Sequence, residues 1–146
     1  MLLPPEFKRL LSALASNQVE YLIVGGYAVI YHGYVRTTGD LDIWVALSVE
    51  NAAKVEAAIR SLGFNLPGLK AEWFTHRGSV LRLGREPLRF DIINDIDGVT
   101  FAQCYARRIR TNLEGIEVNL ISLPDLKTNK RASGRNKDLA DLDYLP

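Results

Sequence analysis

Asp40 and Asp42 stand two positions apart in the run GDLDIWV. The apolar, β-favouring residues around them predict a strand. Side chains alternate along a strand, so both carboxylates share one face while Leu41 and Ile43 point the other way, into a core. Two carboxylates this close repel, and holding them half-buried is costly unless positive charge lies between them. A divalent cation is the natural partner, and oxygen ligands suit Mg²⁺ or Mn²⁺. A third carboxylate, Asp91, sits among apolar neighbours in LRFDII, also read as a strand. If the two strands are neighbours, three aspartates meet, the minimum for two metal ions about 3.5–4 Å apart. One ion would hold a triphosphate and the other would acidify an attacking hydroxyl. Asp91 could also serve as the base for that hydroxyl.

Gly25 and Gly26 follow an apolar run and precede a helical one. A glycine pair there lets the backbone approach a ligand closely, and the free N–H groups at a helix start suit phosphate oxygens. Arg36 lies in the loop between the glycines and the aspartates, where it could neutralise phosphate charge. The pair does not extend to a G-x-G-x-x-G fingerprint, because Ala28 and Val29 stand where glycines would be needed. Asn94 to Gly98 resembles a calcium loop only faintly, and Val99 to Cys104 add no carboxylate, so a turn is expected. His32 reads as a capping or packing residue, Trp44 as packing, Cys104 as a small core residue, and Asp141 and Asp143 as a solvated helix face.

These residues need elements to position them. Phe7, Leu10, Leu11 and Leu14 recur at helical spacing and predict a helix over 5–16. Val19 to Val24 reads as a strand, Tyr27 to His32 as a helix closed by Gly33, 34–39 as a loop, and Leu41 to Leu47 as the next strand. Ser48 is an expected cap for a helix from Val49 to Leu62. Residues 64–78 show no clear period. Strands are expected at Ser79–Leu83 and Leu88–Ile93 with a turn at Gly84 to Pro87, a short helix at Thr100–Ala106, and a hairpin of Ile109–Asn112 with Ile116–Ile121. Pro124 starts a helix to Ser133, and Asn136 caps a last one. That order predicts an α+β (or α/β) chain with a short mixed β-sheet flanked by helices, and C-terminal helices after it.

The 146 residues favour a single domain, spanning 1–146. With 47% hydrophobic and 24% charged residues, the chain can bury a sizeable core. A net charge of +1 argues against general polyanion binding. Positive charge is nonetheless concentrated at Lys127, Lys130, Arg131, Arg135 and Lys137. One cysteine allows no internal disulfide and suits a reducing, cytoplasmic setting. No apolar run is long enough for a membrane span, and no secretion signal is expected. Two histidines and one cysteine do not support a structural zinc site.

The ordered set Gly25-Gly26, Asp40-Leu41-Asp42 and Asp91 resembles the nucleotidyltransferase superfamily, which includes DNA polymerase beta. The fourteen-position step from Gly26 to Asp40 is long for that family. The segment GGYAVIYHGYVRTTGDLD and the ending NKRASGRNKDLADLDYL are similar to small stand-alone prokaryotic members, some of them from toxin–antitoxin and abortive-infection systems. The resemblance implies transfer of a nucleoside monophosphate from an NTP to a hydroxyl acceptor, with two Mg²⁺ or Mn²⁺ ions on Asp40, Asp42 and Asp91. It implies that Lys130 and Arg135 contact nucleotide phosphates or the acceptor, and that Asp138 orients them. RNA (tRNA among others) and protein both remain open as acceptors, as does a cognate toxin or antitoxin partner. A second subunit could complete the acceptor site, so an oligomer is compatible. The competing reading is a catalytically weak, antitoxin-like or regulatory binding module on the same fold.

Overall fold

A computed structural model describes residues 3–64, 66–85 and 87–146. Met1, Leu2, Asn65 (in the segment without a clear period) and Glu86 (in the turn expected at 84–87) lie outside the described residues.

The amphipathic run becomes helix α1, Pro5–Ser16, which buries Phe7, Leu10, Leu11 and Leu14. Strand β1, Tyr21–Val24, is buried throughout, as its unbroken apolar run requires. Helix α2, Gly25–Tyr31, follows without a connecting residue, and β2 is Asp40–Val45. Helix α3, Val49–Ser61, is capped by Ser48, whose side chain accepts from the Asn51 N–H. Buried Asn51 then ties α3 to the sheet. It accepts from the Glu20 N–H at 2.8 Å and donates to the carbonyls of Glu20 and Ala46 at 3.1 Å each.

Part of the segment without a period forms a short 3-10 helix, Ala71–Thr75. Strands β3, Val80–Arg85, and β4, Leu88–Ile93, form the expected hairpin pair. Helix α4, Phe101–Ala106, is followed by β5, Ile109–Leu113, and β6, Ile116–Leu120. Helices α5, Leu123–Ser133, and α6, Asn136–Tyr144, complete the fold. Asn136 is the first helical residue rather than the cap. The cap position belongs to Arg135, which makes no side-chain cap bond.

The six strands form one mixed sheet in the order β3-β4-β2-β1-β6-β5. β2 runs parallel to β4 and antiparallel to β1, and β1 is parallel to β6. Alternation gives the sheet two apolar faces. Leu41, Ile43, Val45, Phe90 and Ile92 pack with α1, α3 and Phe74. Leu22, Val24 and Trp44 pack on the other face with Cys104, Leu126 and Leu145, and Phe101 meets the Trp44 ring edge-on at 5.1 Å. Asp40, Asp42 and Asp91 belong to that second face, where the apolar cluster stops. Among the described residues, no helix is long and apolar enough to cross a membrane.

Candidate active site

The register of the sheet builds the site. Asp42 and Asp91 are directly paired across the parallel strands β2 and β4, with Asp40 opposite Arg89. Beyond β4, Arg82 of β3 faces Asp91. On the other side of β2, Val24 pairs with Asp42, so the chain turns into α2 immediately beside the carboxylates. Gly25 makes that turn at φ +67°, a conformation that side-chain-bearing residues rarely adopt. A β-carbon there would stand 2.0 Å from Asp42 Oδ2, and one at Gly26 would stand 2.8 Å from Thr38 Oγ1. Gly25 is therefore required by close approach as well as by dihedral, and Gly26 by close approach alone. Gly25→Ala is expected to displace the Asp42 carboxylate and lower transfer by about 100-fold or more, since a displacement near 1 Å can cost that much. Near-normal turnover in a steady-state assay would refute it.

All eight sequence-predicted residues, Gly25, Gly26, Arg36, Asp40, Asp42, Asp91, Lys130 and Arg135, line one cleft of about 480 Å³. Burial comes first in pushing the Asp42 carboxyl up to about 6, followed by the charges of Asp91 and Asp40. Lys137 and Lys130 pull it the other way only in part. Among the described residues, no hydrogen bond or ion pair reaches the Asp42 carboxylate.

The two flanking aspartates are held by arginines that the sequence did not single out. Arg82 forks onto Asp91, with Nε–Oδ1 2.9 Å and Nη2–Oδ2 3.1 Å. Arg89 Nε lies 3.5 Å from Asp40 Oδ1. Among the described residues, no three acidic, imidazole or thiol side chains form a ready-made metal cage. The cleft gathers the three aspartates without closing them around a common point. The donor set still suits a hard divalent cation: hard oxygens on one face, with a surplus of negative charge centred on unpartnered Asp42.

The opposite wall is α5, α6 and the loop before β2. Lys130 is only 4% exposed, and its ammonium donates to Asp138 Oδ1 at 2.7 Å and Asp141 Oδ2 at 3.0 Å. Arg36 grips the same Asp141, with Nη2–Oδ2 and Nε–Oδ1 both 3.1 Å. Arg135 Nε and Ser133 Oγ both donate to Asp138 Oδ2. Asp141, expected on a solvated face, is instead 3% exposed and shared by two cations. Asp143 is exposed as expected. Lys137 also lines the cleft, is exposed, and has no ion pair among the described residues. Nothing in its own spacing distinguishes it from the other C-terminal basic residues. His32 lies within hydrogen-bond reach of the Ile121 carbonyl at 2.8 Å, a packing role. Burial, then Asp125, pushes the Cys104 thiol up to about 12, which fits an inert core residue.

No family model matches the chain, and no curated protein matches it. Solved structures do match. A Thermotoga maritima protein classed as a candidate nucleotidyltransferase superposes with a TM-score of 0.65 at 16% identity, over 97% of this chain and 93% of that one. The antibiotic-resistance factor ANT(2″)-Ia superposes at 0.59 with 16% identity, over 95% and 80%. The same factor in complex with adenylyl-2″-tobramycin gives 0.56 at 14%, over 94% and 84%. The chain has the nucleotidyltransferase fold. The short mixed β-sheet flanked by helices that the sequence predicted is present as a six-stranded mixed sheet and fits that fold.

Proposed function

We propose that the chain is a metal-dependent nucleotidyltransferase that moves a nucleoside monophosphate from an NTP to a hydroxyl acceptor. We place it in the cytoplasm, in a toxin–antitoxin or abortive-infection setting. One observation carries the enzymatic reading: Asp42 and Asp91 are register partners on one face, with Asp40 two residues away and the Gly25 backbone against Asp42. Two Mg²⁺ or Mn²⁺ ions would neutralise the triphosphate and acidify the acceptor hydroxyl, and Asp40, Asp42 and Asp91 would hold them. In this reading Asp91 would also take the hydroxyl proton, at one of the two oxygens that Arg82 otherwise holds. The acceptor oxygen then bonds to the α-phosphorus as the bond to the bridging oxygen breaks, and pyrophosphate leaves. The backbone N–H groups of the Gly25–Gly26 turn would receive phosphate oxygens. Lys137 and Arg135 approach them from the opposite wall, while Lys130 and Arg36 contribute charge from within that wall. ANT(2″)-Ia, solved in complex with adenylyl-2″-tobramycin, supports nucleotidyl transfer on this fold.

Incubation with each labelled NTP, Mg²⁺ and cell lysate should label RNA or protein, and a chelator should prevent it. The binding-module alternative wins if labelling fails, calorimetry finds no affinity for NTP with Mg²⁺, and the chain instead holds a co-purifying partner tightly.

A further inference from the structure

The strand order assigns sides to the cleft. Gly25, at the end of β1, marks the triphosphate side. Asp42 on β2 and Asp91 on β4 come next, and then Arg82 and Val80 on the edge strand β3. In-line displacement puts the attacking oxygen opposite the leaving pyrophosphate. An acceptor hydroxyl therefore approaches over β4 and β3, across the sheet edge.

A second hollow, about 350 Å³, lies at that edge, lined by Gly68, Lys70, Glu72, Trp73, His76 and Ser79. Ser79 lines this hollow and the next residue, Val80, lines the cleft, so one continuous stretch of chain at the β3 edge borders both. The connection is firmly held. Asn94, 4% exposed at the end of β4, accepts from the Gly78 N–H at 2.8 Å and donates to the carbonyls of Phe74 and His76 at 3.2 and 2.7 Å. Arg77 reaches Asp95, which also lines the cleft, at 3.2 Å. Trp73 is 44% exposed, whereas its neighbour Phe74, at 1%, anchors the segment in the core. Packing thus accounts for Phe74 and leaves the Trp73 ring unexplained.

We infer that the Trp73 hollow is the acceptor subsite and that it takes an unpaired base near the reacting end of a single-stranded RNA. This rests on the nucleotidyltransferase reading above. An exposed indole stacks on any base, and Lys70, which lines the same hollow, suits a flanking phosphate. A strand seated there would cross the β3 edge and present its terminal hydroxyl to Asp91.

The chain has two tryptophans, and Trp44 is 1% exposed beneath Phe101, so quenching by added RNA reports Trp73. A short unstructured RNA oligonucleotide should quench the wild-type fluorescence saturably, less so at high salt, and should not quench Trp73→Phe. Trp73→Ala should raise the KM for RNA about tenfold while the KM for NTP stays unchanged, and Trp73→Phe should recover much of that loss. Absent quenching, an unchanged KM for RNA in Trp73→Ala, or labelling of a protein hydroxyl in preference to RNA would overturn the inference while leaving nucleotidyl transfer in place. A wild-type chain that does not bind NTP with Mg²⁺ by calorimetry would overturn both.

Discussion

Asp42→Asn should abolish nucleotidyl transfer and, in the absence of metal, make the protein more stable at neutral pH. The loss of transfer, about 1,000-fold or more, follows from removing a charge that the proposed metal site needs. The gain in stability follows from the cost of the same charge. The Asp42 carboxyl is pushed from 3.8 up to about 6, first by burial and then by Asp91 and Asp40. The folded state therefore binds this proton more tightly than the unfolded chain. Its contribution is fully present below about pH 4 and is lost as pH rises through about 6, a difference of about 3 kcal/mol at most. Asparagine removes that dependence. At pH 8, with chelator, the variant should melt up to about 10 °C above wild type, and at pH 4 the two should converge. Mg²⁺ should narrow the pH 8 gap by stabilising wild type alone. Equal melting at both pH values, with or without Mg²⁺, would sink this account of the site.

Lys130→Met should be the most destabilising single change in the opposite wall. The ammonium is buried between Asp138 and Asp141, and losing it leaves both carboxylates short of a buried counter-charge. Breaking such an arrangement from one side costs about 3–5 kcal/mol. Lys137→Met removes an exposed charge and should change stability by no more than about 0.5 kcal/mol. Urea denaturation distinguishes the two, and the nucleotide KM completes the comparison. If Lys130→Met leaves stability intact while raising the KM for NTP, Lys130 is a direct nucleotide ligand rather than the fastening of the wall.

The sequence made the scaffold legible where hydrophobic period and turn chemistry agreed. α1, β1, the β3–β4 hairpin and the β5–β6 hairpin fall within a few residues of their expected bounds. The aspartates could be placed on one face because alternation along a strand is strict. Their contact across strands could not be read, since register is fixed by pairing between distant segments. The same limit hid Arg82 and Arg89, whose partners lie on neighbouring strands or in the same cleft rather than nearby in sequence. Asp141 looked solvated because a helix of alternating charge gives no sign that one carboxylate meets a loop 105 positions earlier. The 64–78 segment had no period because much of its order comes from outside it, through Asn94.

The cleft joins two bodies held together by different forces. The carboxylate side is part of a sheet with an apolar layer on each face, while α5 and α6 are joined largely through Lys130, Asp138, Asp141, Arg36 and Arg135. Burial pulls the Asp138 carboxyl upward, but hydrogen bonds from Lys130 and Ser133 outweigh it, and the carboxyl stays below its ordinary value. Its contribution to stability is present above the ordinary carboxylate range and vanishes as acid protonates it. Acidification should thus separate two events that heating merges: the helical pair loosens first, while the strands beneath keep their amide protons from exchange.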